Sequence, residues 1–124
     1  MKTPTVLLIL DKPQDLEIYG NSLRDKGYET RMCTSPSEGL NSLATESISL
    51  VIVSQGTPAF EGRQVLERSL QLYPKVPVLV VARVLDMHCY LEAMDLGAID
   101  YLERPEPQDM VWAVDTQILR GASA

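Results

Sequence analysis

An α/β fold is predicted by three features of the chain. Five short apolar runs alternate with five helix-like stretches, the runs VLLIL at 6–10 and VPVLVVA at 76–82 lack polar alternation, and proline or glycine punctuates the helical stretches. Such alternation argues for parallel strands joined by crossover helices, and an unbroken apolar run is expected where helices cover both faces of a strand. The expected architecture is a three-layer, doubly wound (βα)5 domain with a parallel sheet in the order 2-1-3-4-5.

The strands are expected at residues 5–10, 28–33, 50–54, 76–82 and 100–103. The first helix should start near Pro13, whose fixed φ suits a first turn, and stop before Gly27, which suits a left-handed residue past the helix end. Leu16, Tyr19 and Leu23 form its inward stripe. A second helix is expected at 35–45 with Leu40 and Leu43 inward, and a third at 62–73 with Val65, Leu66 and Leu70, ended by Pro74 and Pro77. Asp86 is the expected N-cap of the fourth, whose apolar positions are Met87, Tyr90, Leu91 and Met94. The fifth starts near Pro107 and carries Val111, Val114 and Ile118 at helical spacing.

A chain of 124 residues fits one domain, here 1–120, with the segment GASA at 121–124 read as a tail or linker remnant. With 45% apolar and 23% charged residues the composition is that of an ordinary globular domain. The formal charge of −6 disfavours attraction to nucleic acid or anionic lipid. No apolar stretch long enough to span a bilayer and no secretion signal is found, so the expected location is cytoplasmic. Cys33 and Cys89 have no metal-ligand spacing and read as free thiols. The single His88 has no second histidine to join it as a ligand. Met32, Met87, Met94 and Met110 read as core or groove filler.

In a doubly wound sheet the carboxyl ends of the strands carry the site. Those ends read Leu10-Asp11-Lys12, Ser54-Gln55-Gly56, Ala82-Arg83 and Arg104-Pro105. The segment SQGTPAFEG at 54–62 has Pro58 and Gly62 at four and eight residues beyond Ser54, and GAIDYLERP at 97–105 closes on an Arg-Pro pair. Both segments resemble the receiver domains of response regulators in two-component signalling. The resemblance runs from Val6 to about Leu119.

The departures fall on the residues that do the family's chemistry. By the resemblance, two acids close the first strand and bind magnesium; Leu10 stands at the first and only Asp11 remains. Ser54 replaces the phospho-accepting aspartate, Ala82 the hydroxyl residue ending the fourth strand, and Arg104 the lysine of the fifth. Tyr101 keeps the aromatic switch position. A carboxylate nucleophile is already ionised at neutral pH, whereas serine needs a neighbouring base, and the residues here supply none. Removing one carboxylate about 4 Å from a divalent ion forfeits on the order of 8 kcal/mol of gross attraction at an effective dielectric of about 20. Two are missing, so no metal and no cofactor is expected. Arg104 is expected to pair with Asp11 or reach Ser54, and the resemblance implies a cis bond before Pro105.

The reading that follows is a degenerate receiver, not an enzyme, that acts through a protein partner or effector domain without aspartyl phosphorylation. Its expected working surface is the face of the fourth helix, fifth strand and fifth helix, with self-association possible there and Tyr101 and Trp112 as switch and interface residues. Trp112 is alternatively packed near Met94. The other functional classes are a small-ligand-binding flavodoxin-like domain and a receiver phosphorylated elsewhere; DKPQD at 11–15 lacks the glycine or hydroxyl cluster of a phosphate-binding turn.

Overall fold

The structure is a computed structural model that describes residues 3–123, with side chains as far as residue 121. The elements in chain order are β1 (Thr5–Ile9), α1 (Pro13–Asp25), β2 (Glu29–Cys33), α2 (Pro36–Thr45), β3 (Leu50–Ser54), α3 (Arg63–Leu72), β4 (Val78–Ala82), α4 (Met87–Leu96), β5 (Asp100–Glu103) and α5 (Pro107–Ser123). All strand pairs are parallel, in the order β2-β1-β3-β4-β5. The predicted fold class and strand order are therefore those observed.

Two apolar layers arise from the two-residue period of the strands. Leu7, Ile9, Val51, Val53, Val80 and Tyr101 face one layer, which is completed by α2, α3 and α4. Val6, Leu8, Leu50, Ile52, Leu79 and Val81 face the other, against Leu16 and Leu23 of α1 and Met110, Val111 and Val114 of α5. Leu10 continues this second layer just past β1 and is buried.

Local signals set most element boundaries. Pro13 opens α1, and Gly27 follows its end at φ 95°. Ser35 caps α2 by accepting from the Glu38 N–H at 3.3 Å, while its hydroxyl donates to Glu38 Oε1 at 3.1 Å. The first of these bonds satisfies one backbone N–H that would otherwise be orphaned at the helix start. Asp86 caps α4 as expected, its Oδ1 accepting from the Cys89 N–H at 2.8 Å. β4 begins two residues later than expected, after Pro77, which has no N–H to give a ladder.

Several expectations change. Helix α4 turns Cys89 and Ala93 into the core, while Met87, Leu91 and Met94 are exposed. Both faces of this helix are apolar, so periodicity alone does not choose between them. Of the methionines read as filler, Met110 is fully buried, but Met32, Met87 and Met94 are exposed. Helix α5 overruns the boundary expected at residue 120 and continues through Ser123; residue 124 lies outside the described residues. Cys33 and Cys89 are both buried and unbridged. No helix among the described residues is long and apolar enough to cross a membrane.

Candidate functional site

The carboxyl ends of β1, β3, β4 and β5 enclose a cavity of about 150 Å³ that Leu10, Ser54, Gly56, Ala82, Arg83 and Arg104 help to line, with Asp15 and Tyr19 of α1 on its far side. Four of the five residues expected at a degenerate phosphorylation site, Leu10, Ser54, Ala82 and Arg104, thus line one cavity, and Asp11 does not. Its carboxylate takes two hydrogen bonds from one guanidinium, Arg83 Nη1 to Oδ1 at 2.8 Å and Nη2 to Oδ2 at 3.2 Å. The Arg83 guanidinium holds the Asp11 carboxyl below its ordinary range, and the carboxylate in turn raises Arg83.

The expected Arg104–Asp11 pair does not form. Arg83 follows β4, two strands from β1, whereas β5 lies one further strand spacing of about 4.8 Å away. The guanidinium of Arg104 has no hydrogen bond or ion pair among the described residues, although it lines the same cavity. It does not reach Ser54 either; the Ser54 hydroxyl accepts from the Asp11 N–H at 3.2 Å. The bond before Pro105 is trans, contrary to the expected cis, and the chain turns instead through Arg104 at φ 41°.

Gly62 explains why the β3–α3 loop has its shape. A Cβ there would lie 2.1 Å from the Ser54 carbonyl oxygen, so the start of α3 can press against the end of β3 only if residue 62 is glycine. Gly56, at φ 83°, turns the chain out of the strand, and Glu61 then gathers the loop by accepting from the Thr57 N–H at 2.8 Å.

Tyr101 is buried, its ring edge-on to Tyr90 with centroids 5.4 Å apart. Its hydroxyl donates to Gln55 Oε1 and accepts from the Asp86 N–H at 3.2 Å, and burial pushes its ionisation above the ordinary range. Glu103 Oε2 accepts from the Leu85 N–H at 2.9 Å. The β4–α4 loop is therefore tied at three successive points: to β1 through Arg83, and to β5 through Leu85 and Asp86. Gln55, only 2% exposed, and Arg83 were not among the expected site residues. Nothing in a single sequence marks Gln55, and Arg83 is visible only as the residue after Ala82.

Trp112 does not pack near Met94. It is 70% exposed and lines a groove between α1 and α5, together with Asp25, Lys26, Glu106 and Asp115. That groove lies on the α1 side of α5, away from the α4 face.

A divalent cation at this edge would need several oxygen ligands. Leu10 offers none, Asp11 is already engaged by Arg83, and no group of three or more His, Cys, Asp or Glu among the described residues is placed to hold a metal. The residues do not fit the magnesium ion that intact members of the resembled family hold.

The fold and this edge define the class as a receiver-type α/β domain. The chain belongs to the response regulator receiver domain family of two-component signalling, whose model matches residues 6–115. It is 35% identical over 100 residues to the response regulator protein FleR of Pseudomonas aeruginosa, a match covering 81% of this chain and 21% of that protein. The transcriptional regulatory protein GlrR of Escherichia coli is 27% identical over 124 residues, covering 99% of this chain and 28% of GlrR. The chain thus spans well under a third of the length of these two relatives. Among solved structures, a CheY-like receiver domain protein from Methanospirillum hungatei superposes with TM-score 0.91 at 21% identity, covering 98% of each chain. A receiver domain protein from Clostridium thermocellum does so with TM-score 0.86 at 27% identity, covering 97% of this chain and 98% of its own.

Proposed function

We propose that this receiver signals by protein contact without phosphoryl transfer at the end of β3. The observation that carries this reading is the pairing of Ser54 with an Asp11 already bound by Arg83. Ser54 lacks the charge of a carboxylate nucleophile, and its hydroxyl is an acceptor for a backbone N–H. Asp11 is the adjacent acid, but a carboxyl held below its ordinary range is a poor base. The domain is accordingly not an enzyme, and the absence of nucleophile and metal ligands leaves its state to be set by sequence or by a partner.

The proposed working surface is the face of α4, β5 and α5, with a linked or separate effector as partner and a second copy as an alternative occupant. Met87 and Leu91, one turn apart on α4 and each 58% exposed, form an apolar stripe there, with Val84 of the preceding loop 72% exposed, and exposed apolar surface of this kind marks interaction sites. Tyr101 and Glu103 tie the β4–α4 loop at the edge of this stripe to the rim. The proposed location is cytoplasmic.

Incubation with acetyl phosphate and magnesium, followed by intact-mass measurement, is expected to leave the mass unchanged. Beryllofluoride and magnesium up to millimolar concentration are expected to leave the amide resonances near Asp11 unmoved. A phosphoryl adduct mapping to Ser54 defeats the proposal; one mapping to another residue identifies a receiver phosphorylated elsewhere. Sedimentation of the wild type beside Met87→Asp/Leu91→Asp tests the surface, and loss of association or of a pulled-down effector in the variant is the expected result.

A second reading, a small-ligand-binding domain, is favoured by one observation. Among the described residues the Arg104 guanidinium has no hydrogen bond or ion pair, and it lines the cavity with Ser54, so a small anion would find one charged donor there despite the Asp15 carboxylate and an Arg83 already held by Asp11. Stabilisation by phosphate or sulfate in a thermal-shift series, lost in Arg104→Ala, is the outcome that selects it.

A further inference from the structure

The groove between α1 and α5 is lined by Ser22 and Asp25 of α1, Lys26 just past its end, and Glu106, Trp112 and Asp115 at and along α5, and it offers about 730 Å³ of open space. Trp112, the single tryptophan of the chain, lines this groove and is 70% exposed, while Met110, Val111 and Val114 of the same helix are buried. Tryptophan exposed beside an open groove is the kind of side chain that interfaces bury as an anchor.

The chemistry of the rim selects that occupant. Three carboxylates line the groove, from Asp25, Glu106 and Asp115, against one ammonium from Lys26. A fourth carboxylate, Asp109, lies one turn before Trp112 on α5, at the spacing that makes helical neighbours. Asp115 is held in place because its Oδ1 accepts from the Tyr28 hydroxyl, which leaves its other oxygen free of that bond. An aromatic face ringed by carboxylates attracts a planar cation, through the ring quadrupole below and charged hydrogen bonds at the edge. Guanidinium meets both demands better than ammonium because it is flat and presents a fork of donors.

We infer that this groove docks an arginine-bearing segment of a partner protein, with the guanidinium stacked on Trp112 and paired with the carboxylates around it. A second copy of the chain is disfavoured as the occupant, since each copy carries a formal charge of −6 and would bring that charge to an already acidic groove. This inference does not rest on the phosphorylation site or on the α4 face. It corrects the placement of Trp112, which belongs to the α1 side of α5.

The single tryptophan makes the test direct. The intact chain is titrated with a capped Ala-Arg-Ala-Arg-Ala peptide while the emission of Trp112 is followed, beside lysine and glutamate versions of the same peptide. A saturable change with the arginine peptide, weaker with lysine and absent with glutamate, is expected. Asp25→Asn/Glu106→Gln, with unchanged circular dichroism, should weaken binding by about fivefold, the scale of two screened ion pairs, and added salt should do the same. Lys26→Ala should tighten it. The inference is overturned by any of three results: no saturable change at millimolar peptide, an equal response to the glutamate peptide, or unaltered affinity in the double variant. It is also overturned if the free chain sediments as a dimer that Trp112→Ala abolishes, because a second copy then covers the groove.

Discussion

Arg83 is the chief cause that holds the Asp11 carboxyl below its ordinary range, because its guanidinium engages both carboxylate oxygens at once. Replacing it by alanine should return the Asp11 carboxyl upward toward its ordinary value of 3.8, read from the carboxyl carbon in an NMR titration. The cost in stability should stay below about 1 kcal/mol, since the two side chains are 38% and 43% exposed and water screens the pair. Tyr101 behaves differently because its partner is buried. Tyr101→Phe would leave the Gln55 side-chain oxygen without its donor inside the core, and an unpaired buried polar group costs roughly 1–3 kcal/mol. A denaturant midpoint measured beside the wild type checks this. The Cys89 thiol, pushed up to about 11 by burial, should resist alkylation at neutral pH in the native protein and react only once the chain is unfolded.

Among the elements, the junction of β3 and α3 is the least tolerant of change. A methyl group at residue 62 has no room beside the Ser54 carbonyl, and backbone cannot give way as a flexible side chain can. Gly62→Ala should therefore destabilise the domain by roughly 1–3 kcal/mol, the range for overpacking, with no loss of secondary structure at neutral pH. Gly39 of α2 is a milder case, since an added Cβ there meets only the side chain of Ile9. The β4–α4 loop owes its position to Arg83, to the Leu85 bond with Glu103, and to the Asp86 bond with Tyr101. Hydrogen exchange of the Leu85 and Asp86 amides should accelerate in Tyr101→Phe, because the hydroxyl that accepts from Asp86 is gone and the loop loses one of its three ties.

At the scale of the molecule, ionisation bounds the pH range of stability on both sides. Asp11, Glu61 and Asp86 are lowered in the fold, by the Arg83 hydrogen bond for Asp11 and by backbone hydrogen bonds for the other two. A lowered acid contributes stability above its unfolded value and loses it as pH falls through the folded one. Tyr19, Tyr28 and Tyr101 are raised, each chiefly by burial, as are the thiols of Cys33 and Cys89. Raised groups that are neutral when protonated contribute below their unfolded value and lose it as pH rises through the folded one. Stability should therefore be flat between roughly pH 5 and 9 and fall on both sides, which urea midpoints across the pH range will test.

What the sequence by itself determined is what depends on neighbours along the chain. The five strands, the Gly27 turn, the Asp86 cap and the spacing of Pro58 and Gly62 from Ser54 are local features, and the strand order followed from the rules of crossover connections. That Leu10 and Ser54 stand at strand ends was legible for the same reason, whereas the carboxylates expected there came only from the resemblance to receiver domains. Tertiary structure alone decided which arginine takes Asp11, because the choice between Arg83 and Arg104 turns on how many strands a side chain must cross. It also decided that Tyr101 finds Gln55, which lies 46 residues away along the chain. The outward turn of Met87 and Leu91 and the placement of Trp112 beside α1 belong to the same group. A helix with apolar residues on both faces, or an aromatic at a flank position, is oriented by the packing it meets, and that packing is written in residues distant in sequence.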